Sequence, residues 1–177
     1  MTASDKRVSL CLVGPPTAGK STFARKHLLP GWWSVFRVRE AVPKGTAGLG
    51  ETTAWIPEAS VQKGVDRFLA NEREVHILFD NFPGHAGQMV HLAQSHRRVQ
   101  RDLYLVRFEV GWHDCVARAS QRFVCRRCDP SGRVPASTNE ARTLCARCDG
   151  PVARHRTDAV ADLEFRYKRS QSLLPGV

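Results

Sequence analysis

Eight consecutive residues limit what this chain can fold into more than any others: Gly14-Pro15-Pro16-Thr17-Ala18-Gly19-Lys20-Ser21. They follow a six-residue apolar run, residues 8–13 (Val-Ser-Leu-Cys-Leu-Val), which has no helical period and reads as a buried parallel strand. They precede residues 21–27, which read as a helix closed by Pro30-Gly31. A glycine at each end lets the backbone turn tightly and approach an anion. Main-chain N–H groups and the helix N-terminus then face that anion. GxxxxGK[ST] between a strand and a helix is therefore a phosphate-binding loop. Gly14, Pro15, Thr17, Ala18, Gly19, Lys20, Ser21 and Thr22 become the candidate residues for holding ATP. Lys20 is expected at the β- and γ-phosphates, and Ser21 on Mg²⁺.

The remaining pattern fits that start. Residues 59–71 carry Val61, Val65, Phe68 and Leu69 on one helical stripe. Residues 75–80 form a second apolar strand ending in Asp80, an acid placed to hold Mg²⁺ beside Ser21. Helices are expected over 86–94, 114–122 and 158–170, and a further strand over 103–110. Residues 42–57, rich in Gly, Thr and Pro, read as a small mobile excursion. Strands alternating with helices imply an α/β fold: a three-layer, P-loop NTPase-like parallel sheet with helices on both faces.

Four of the six cysteines form two pairs, Cys125/Cys128 and Cys145/Cys148. Two CxxC knuckles present four thiolates to one tetrahedral ion, so structural Zn²⁺ is expected, within a small lid inserted into the α/β body. A lobe of that size has little core of its own, and the metal would largely fold it. Cys11 and Cys115 read as small core residues.

Lys and Arg number 27 against 17 Asp and Glu, a formal charge of +10. From Arg118 to Arg169 the count is 12 basic to 6 acidic, a net of +6. This balance suits phosphorylated small molecules or nucleic acid. No apolar run approaches the roughly 18–20 residues that span a bilayer. Asp5, Lys6 and Arg7 precede only a short strand-like run, so no export signal is expected and the expected compartment is the cytoplasm.

Taken together, these motifs resemble the adenylate kinases, within the nucleoside monophosphate kinases, and in particular the type with a four-cysteine zinc lid. Phe79-Asp80-Asn81-Phe82-Pro83 is similar to the family's Asp-Gly-Phe-Pro. Arg39-Glu40-Ala41-Val42, then Gly45-Thr46 and Leu49-Gly50, resembles its acceptor segment, with Ile56-Pro57-Glu58 at the exit. The resemblance runs from about residue 8 to 170. It implies Arg39, Ile56, Gly84, His85 and Gln88 around the acceptor nucleotide, with Gln88 at the family's base-reading glutamine. It places Lys20, Arg118, Arg122, Arg156 and Arg166 around the transferred phosphoryl group, with Arg156-Thr157-Asp158 closing the lid. It divides the chain into a kinase core (1–34, 61–122 and 157–177), an acceptor segment (35–60) and a zinc lid (123–156). The partners it implies are nucleotides, with neither a membrane nor nucleic acid expected.

Three departures stand against the family pattern. Its Phe-Pro-Arg is here Phe82-Pro83-Gly84, which removes an acceptor-phosphate arginine and leaves His85 or Arg37 as candidate replacements. The acceptor segment is short. The family's final strand and helix are expected to be absent after residue 170, which would expose a sheet edge for a dimer contact or another partner. The expected activity is transfer of the ATP γ-phosphoryl to a nucleoside monophosphate. Two alternatives are the same chemistry on a non-standard small acceptor, and an inactive nucleotide- or nucleic-acid-binding zinc protein.

Overall fold

The apolar runs at residues 8–13 and 76–80 are too short for core helices and lie side by side as parallel strands. The computed structural model describes residues 7–28, 31–48, 55–72, 75–130, 134–155 and 157–172. The chain divides into two units, Met1–Val110 with Arg166–Val177, and Gly111–Phe165.

The first unit contains β1 (Val8–Val13), α1 (Lys20–His27), β2 (Trp33–Phe36), α2 (Val38–Ala41), α3 (Glu58–Asn71), β3 (His76–Asp80), α4 (Ala86–Arg98) and β4 (Asp102–Arg107). The strands form one parallel sheet in the order β2-β3-β1-β4, so β2 and β4 are its edges. Register aligns Cys11 with Phe79 and Leu105, and Phe36 with Phe79. These side chains share one face of the sheet, since side chains alternate along a strand. They pack with Val61, Val65 and Leu69 of α3 and Leu92 of α4 in one buried cluster. Phe36, Phe79 and Phe82 lie within 6 Å of one another by ring centroid, at 5.1, 5.3 and 5.9 Å. The opposite face buries Leu12 and Leu78, while Tyr104 on the edge strand β4 stays 54% exposed.

The second unit holds α5 (Trp112–Ser120) and a two-stranded antiparallel ribbon of β5 (Phe123–Val124) and β6 (Ala153–Arg154). Around the ribbon lie the cysteine turns. The last helix, α6 (Val160–Gln171), starts in this unit and ends in the first. Among the described residues no helix is long and apolar enough to cross a membrane.

Four short elements lie outside the expectations: β2, α2 and the ribbon strands β5 and β6. The edge strand β2, Trp33-Ser34-Val35-Phe36, begins two residues after Gly31 and at four residues is too short for a periodic signal. Helix α2 is a single turn, whose Ala41 carbonyl accepts from Arg67 of α3 at 2.5 Å. In the expected excursion, Val42 and Ile56 are buried, and residues 49–54 lie outside the described part.

Candidate active site

The loop between β1 and α1 is shaped by its glycines. Gly14 has φ 134°, and a Cβ there would overlap the carbonyl oxygen of Phe108, so only glycine fits both the turn and the space. Gly19 has φ 95° and is the N-cap of α1. Thr17 also takes a left-handed conformation, φ 59°, and its hydroxyl donates to the Pro16 carbonyl at 2.6 Å. These turns start α1 at Lys20, and no acid stands in its first turn to compete with an anion.

Lys20 is buried, and its Nζ donates to the carbonyls of Gly14 (2.8 Å) and Pro15 (2.7 Å). The ammonium thus sits inside the loop on main-chain oxygens, which phosphate oxygens would exchange for charge-assisted bonds. Ser21 and Thr22 are exposed at the start of α1. Asp80 ends β3 in register with Leu12, two residues before Gly14. Its carboxylate lies 3.6 Å from Arg37, which also pairs with Glu40 at 3.5 Å. Arg37 is therefore committed to two carboxylates and does not stand over Gly84.

The candidate acceptor residues gather at the N-terminus of α4. Gln88 is buried, and its amide is used at both ends. Its Oε1 accepts from the Gly84 N–H at 2.8 Å, and its Nε2 donates to Glu58 at 3.1 Å. His85 lies 3.0 Å from the same carboxylate through Nε2, and its Nδ1 accepts from the Gln88 N–H at 3.4 Å. That acceptor role leaves the ring proton on Nε2, facing Glu58. Trp55 meets His85 edge-on at 5.3 Å. Trp55, Ile56, Pro57, Glu58 and His85 line an open pocket of about 440 Å³. Arg39 is exposed on α2, and donates to the Gly48 carbonyl at 2.9 Å.

In the second unit Arg118 is exposed on α5. Arg122 forms a two-bond pair with Asp158, one bond being 2.7 Å. Arg156 lies outside the described residues. Arg166 is half-buried on the part of α6 that belongs to the first unit.

The four cysteine sulfurs lie within 4.8 Å of one another. Cys125 and Cys148 are 3.5 Å apart, and Cys128 and Cys145 3.8 Å. Sulfurs about 2.3 Å from a shared tetrahedral zinc stand about 3.8 Å apart, so the donor set fits that ion. The Cys128 backbone N–H, then Cys148, holds the Cys125 thiol down at about 7, while hydrogen bonding with Cys148 and burial push Cys128 up to about 12. One thiolate forms readily and the next is resisted, a conflict that a bound cation removes.

No protein-family model matches the chain. Two curated proteins do align with it. An "Adenylate kinase" of Fervidobacterium nodosum is 26% identical over 174 residues, covering 91% of this chain and 79% of that protein. The chain is thus similar to an adenylate kinase over most of its length. A second, an "Adenylate kinase" of Thermosipho africanus, is 25% identical over 174 residues, covering 91% of the chain and 81% of its own length. The adenylate kinase likeness thus extends through both units and includes the cysteine turns.

Sequence patterns missed one cation beside Gly84. The Arg169 guanidinium lies 3.5 Å from the Trp55 ring centroid, and a Cβ on Gly84 would be 2.7 Å from its Nη2. Its one local signal is the spacing with Arg166, which puts both on the same side of α6.

Proposed function

We propose that this protein is an adenylate kinase-like phosphotransferase that moves the γ-phosphoryl group of ATP to a nucleoside monophosphate. The observation that carries this reading is the Gly14–Ser21 loop between β1 and α1, with buried Lys20 inside it and Asp80 ending the neighbouring strand.

The reaction needs positioning and positive charge more than covalent help. An oxygen of the acceptor phosphate attacks the γ-phosphorus, and the bond to the β–γ bridging oxygen breaks as ADP leaves. Lys20 and the α1 N-terminus hold the β- and γ-phosphates, where charge develops. Ser21 and Asp80 would hold Mg²⁺, which when bound neutralises phosphate charge. Arg118, Arg122, Arg156 and Arg166 are the arginines assigned to the moving phosphoryl group. Residues 123–156 act as the lid, stiffened by Zn²⁺ on Cys125, Cys128, Cys145 and Cys148, and exclude water that would otherwise hydrolyse ATP. Residues 35–60 with His85 form the acceptor side, and Ile56 lies in the wall of its pocket. A reducing cytoplasm suits paired thiols that serve as metal ligands.

A second reading keeps the chemistry and changes the acceptor. Both ends of the Gln88 amide are already bonded, to Gly84 and Glu58, which favours an acceptor other than an ordinary adenine nucleotide. A coupled assay decides between them, with AMP, CMP, UMP, GMP and dAMP as acceptors. ADP formation with one of these, lost in Lys20→Ala, supports the first reading. Turnover confined to other small phosphorylated compounds supports the second, and none with any acceptor refutes both.

A further inference from the structure

We propose that Arg169, from the last helix, supplies the guanidinium that binds the phosphate of the acceptor, in the space left open by Gly84. This rests on the phosphotransferase reading above and assigns a residue to its acceptor side.

Four observations carry it. Gly84 has no side chain, and the atom nearest to where one would begin is Nη2 of Arg169, at 2.7 Å from that Cβ position. The next is Gln88 Oε1 at 3.3 Å, already bonded to the Gly84 N–H. The guanidinium carbon lies over the Trp55 ring, 3.5 Å from its centroid, a cation–π contact that holds the donor fork in place. Trp55 is in turn a wall of the 440 Å³ pocket assigned to the acceptor, so Arg169 packs on one of the side chains that line it.

The electrostatics point the same way. Arg169 is half-buried and has no carboxylate partner among the described residues. Burial, then the nearby charges of Arg39 and Arg166, pull its pKa below the ordinary arginine value. Burying one cation beside two others costs free energy unless an anion offsets it. The nearest acid of the pocket, Glu58, is engaged by His85 and Gln88 instead. A doubly charged phosphomonoester matches a planar fork flanked by two further guanidinium groups.

The test compares wild type with Arg169→Gln, which keeps a polar amide but removes the charge and the guanidinium fork, in two measurements. In turnover, Arg169→Gln is expected to raise the acceptor KM tenfold or more, with the KM for ATP unchanged within twofold. In calorimetry, the wild type is expected to bind AMP or another monophosphate of the panel at least tenfold tighter than its nucleoside, and Arg169→Gln to erase that preference. A tenfold change corresponds to about 1.4 kcal/mol. An active enzyme whose acceptor KM is indifferent to Arg169→Gln overturns the proposal and leaves the kinase reading standing. If the wild type turns over nothing, the kinase reading fails and calorimetry alone decides. A phosphate preference lost in the variant then upholds Arg169, and one that is absent or unchanged overturns it. Arg169→Lys keeps the charge without the flat fork and is expected to show an intermediate loss. If Arg169→Gln does not fold, Arg169→Lys decides by the same comparison, and unchanged affinity overturns the proposal.

Discussion

Arg122 and Asp158 form a fork-to-carboxylate pair within the second unit: Arg122 Nε donates to Asp158 Oδ2 at 2.7 Å and Nη2 donates to Oδ1. The Asp158 side chain is 1% exposed and that of Arg122 is 22% exposed. The carboxylate therefore fixes where the guanidinium points. Removing one member of such a pair strands the other, at about 3–5 kcal/mol. Asp158→Ala is expected to lose about 3 kcal/mol of unfolding free energy, and Asp158→Asn less. Chemical denaturation checks this, and a loss under about 0.5 kcal/mol would contradict it.

Gly14 and Gly19 are expected to respond differently to alanine. At Gly14 the added Cβ overlaps the Phe108 carbonyl, backbone against backbone, so neither side yields cheaply. At Gly19 nothing lies within 4 Å, and only the φ of 95° is strained. Gly14→Ala should cost about 2 kcal/mol or more and Gly19→Ala about 1 kcal/mol. Denaturation midpoints rank the two.

Lys20→Ala should leave the fold intact, because the bonds of its ammonium to the Gly14 and Pro15 carbonyls stay within one loop and join no two elements of the core. It removes the charge held nearest the β- and γ-phosphates. Loss of one such preorganised donor lowers turnover about 100-fold or more. Circular dichroism and the coupled assay separate the two effects.

The cysteine cluster should hold one zinc ion per chain, measurable by elemental analysis. Structural zinc binds with about 10–16 kcal/mol near neutral pH. Chelation, or Cys128→Ser, is expected to unfold the β5–β6 ribbon and its turns. Amide exchange in residues 123–155 would report this, with recovery when zinc is returned to the chelated protein.

His96 should make the fold acid-sensitive. It is buried, with Nδ1 bonded to the Leu92 carbonyl at 2.8 Å and its ring 5.6 Å from Phe79. Burial lowers its pKa below 6.5, Arg101 adding to the effect and the Leu92 bond opposing it. The unfolded chain therefore binds this proton at a higher pH than the folded one. The contribution of neutral His96 is complete above about pH 6.5 and is lost as pH falls below that value. His96→Leu should flatten the fall in melting temperature between pH 7 and 5, as thermal denaturation across that range can show.

The chain's local rules were readable without coordinates. Residues 8–13 are apolar without a helical period because a parallel strand is buried on both faces. The loop that follows is recognisable because the left-handed turns at positions 14 and 19 favour glycine, and position 14 has room for nothing larger. The cysteine pairs declare themselves by spacing, since a CxxC knuckle is a local structure. Other features required the folded chain. The strand β2 forms because β3 offers it an edge, and four residues show no period of their own. Gln88 is recognisable as a base-reading position by resemblance, yet its bonds to Gly84 and Glu58 depend on α3 and α4 packing together. Position 84 read from sequence as a lost arginine with Arg37 or His85 as substitutes. In the fold Arg37 faces Asp80, His85 faces Glu58, and the cation over Gly84 comes from α6. Sequence spacing records what neighbours along the chain can build together. A charge delivered from a distant helix onto a glycine is settled only when tertiary packing brings the two into contact.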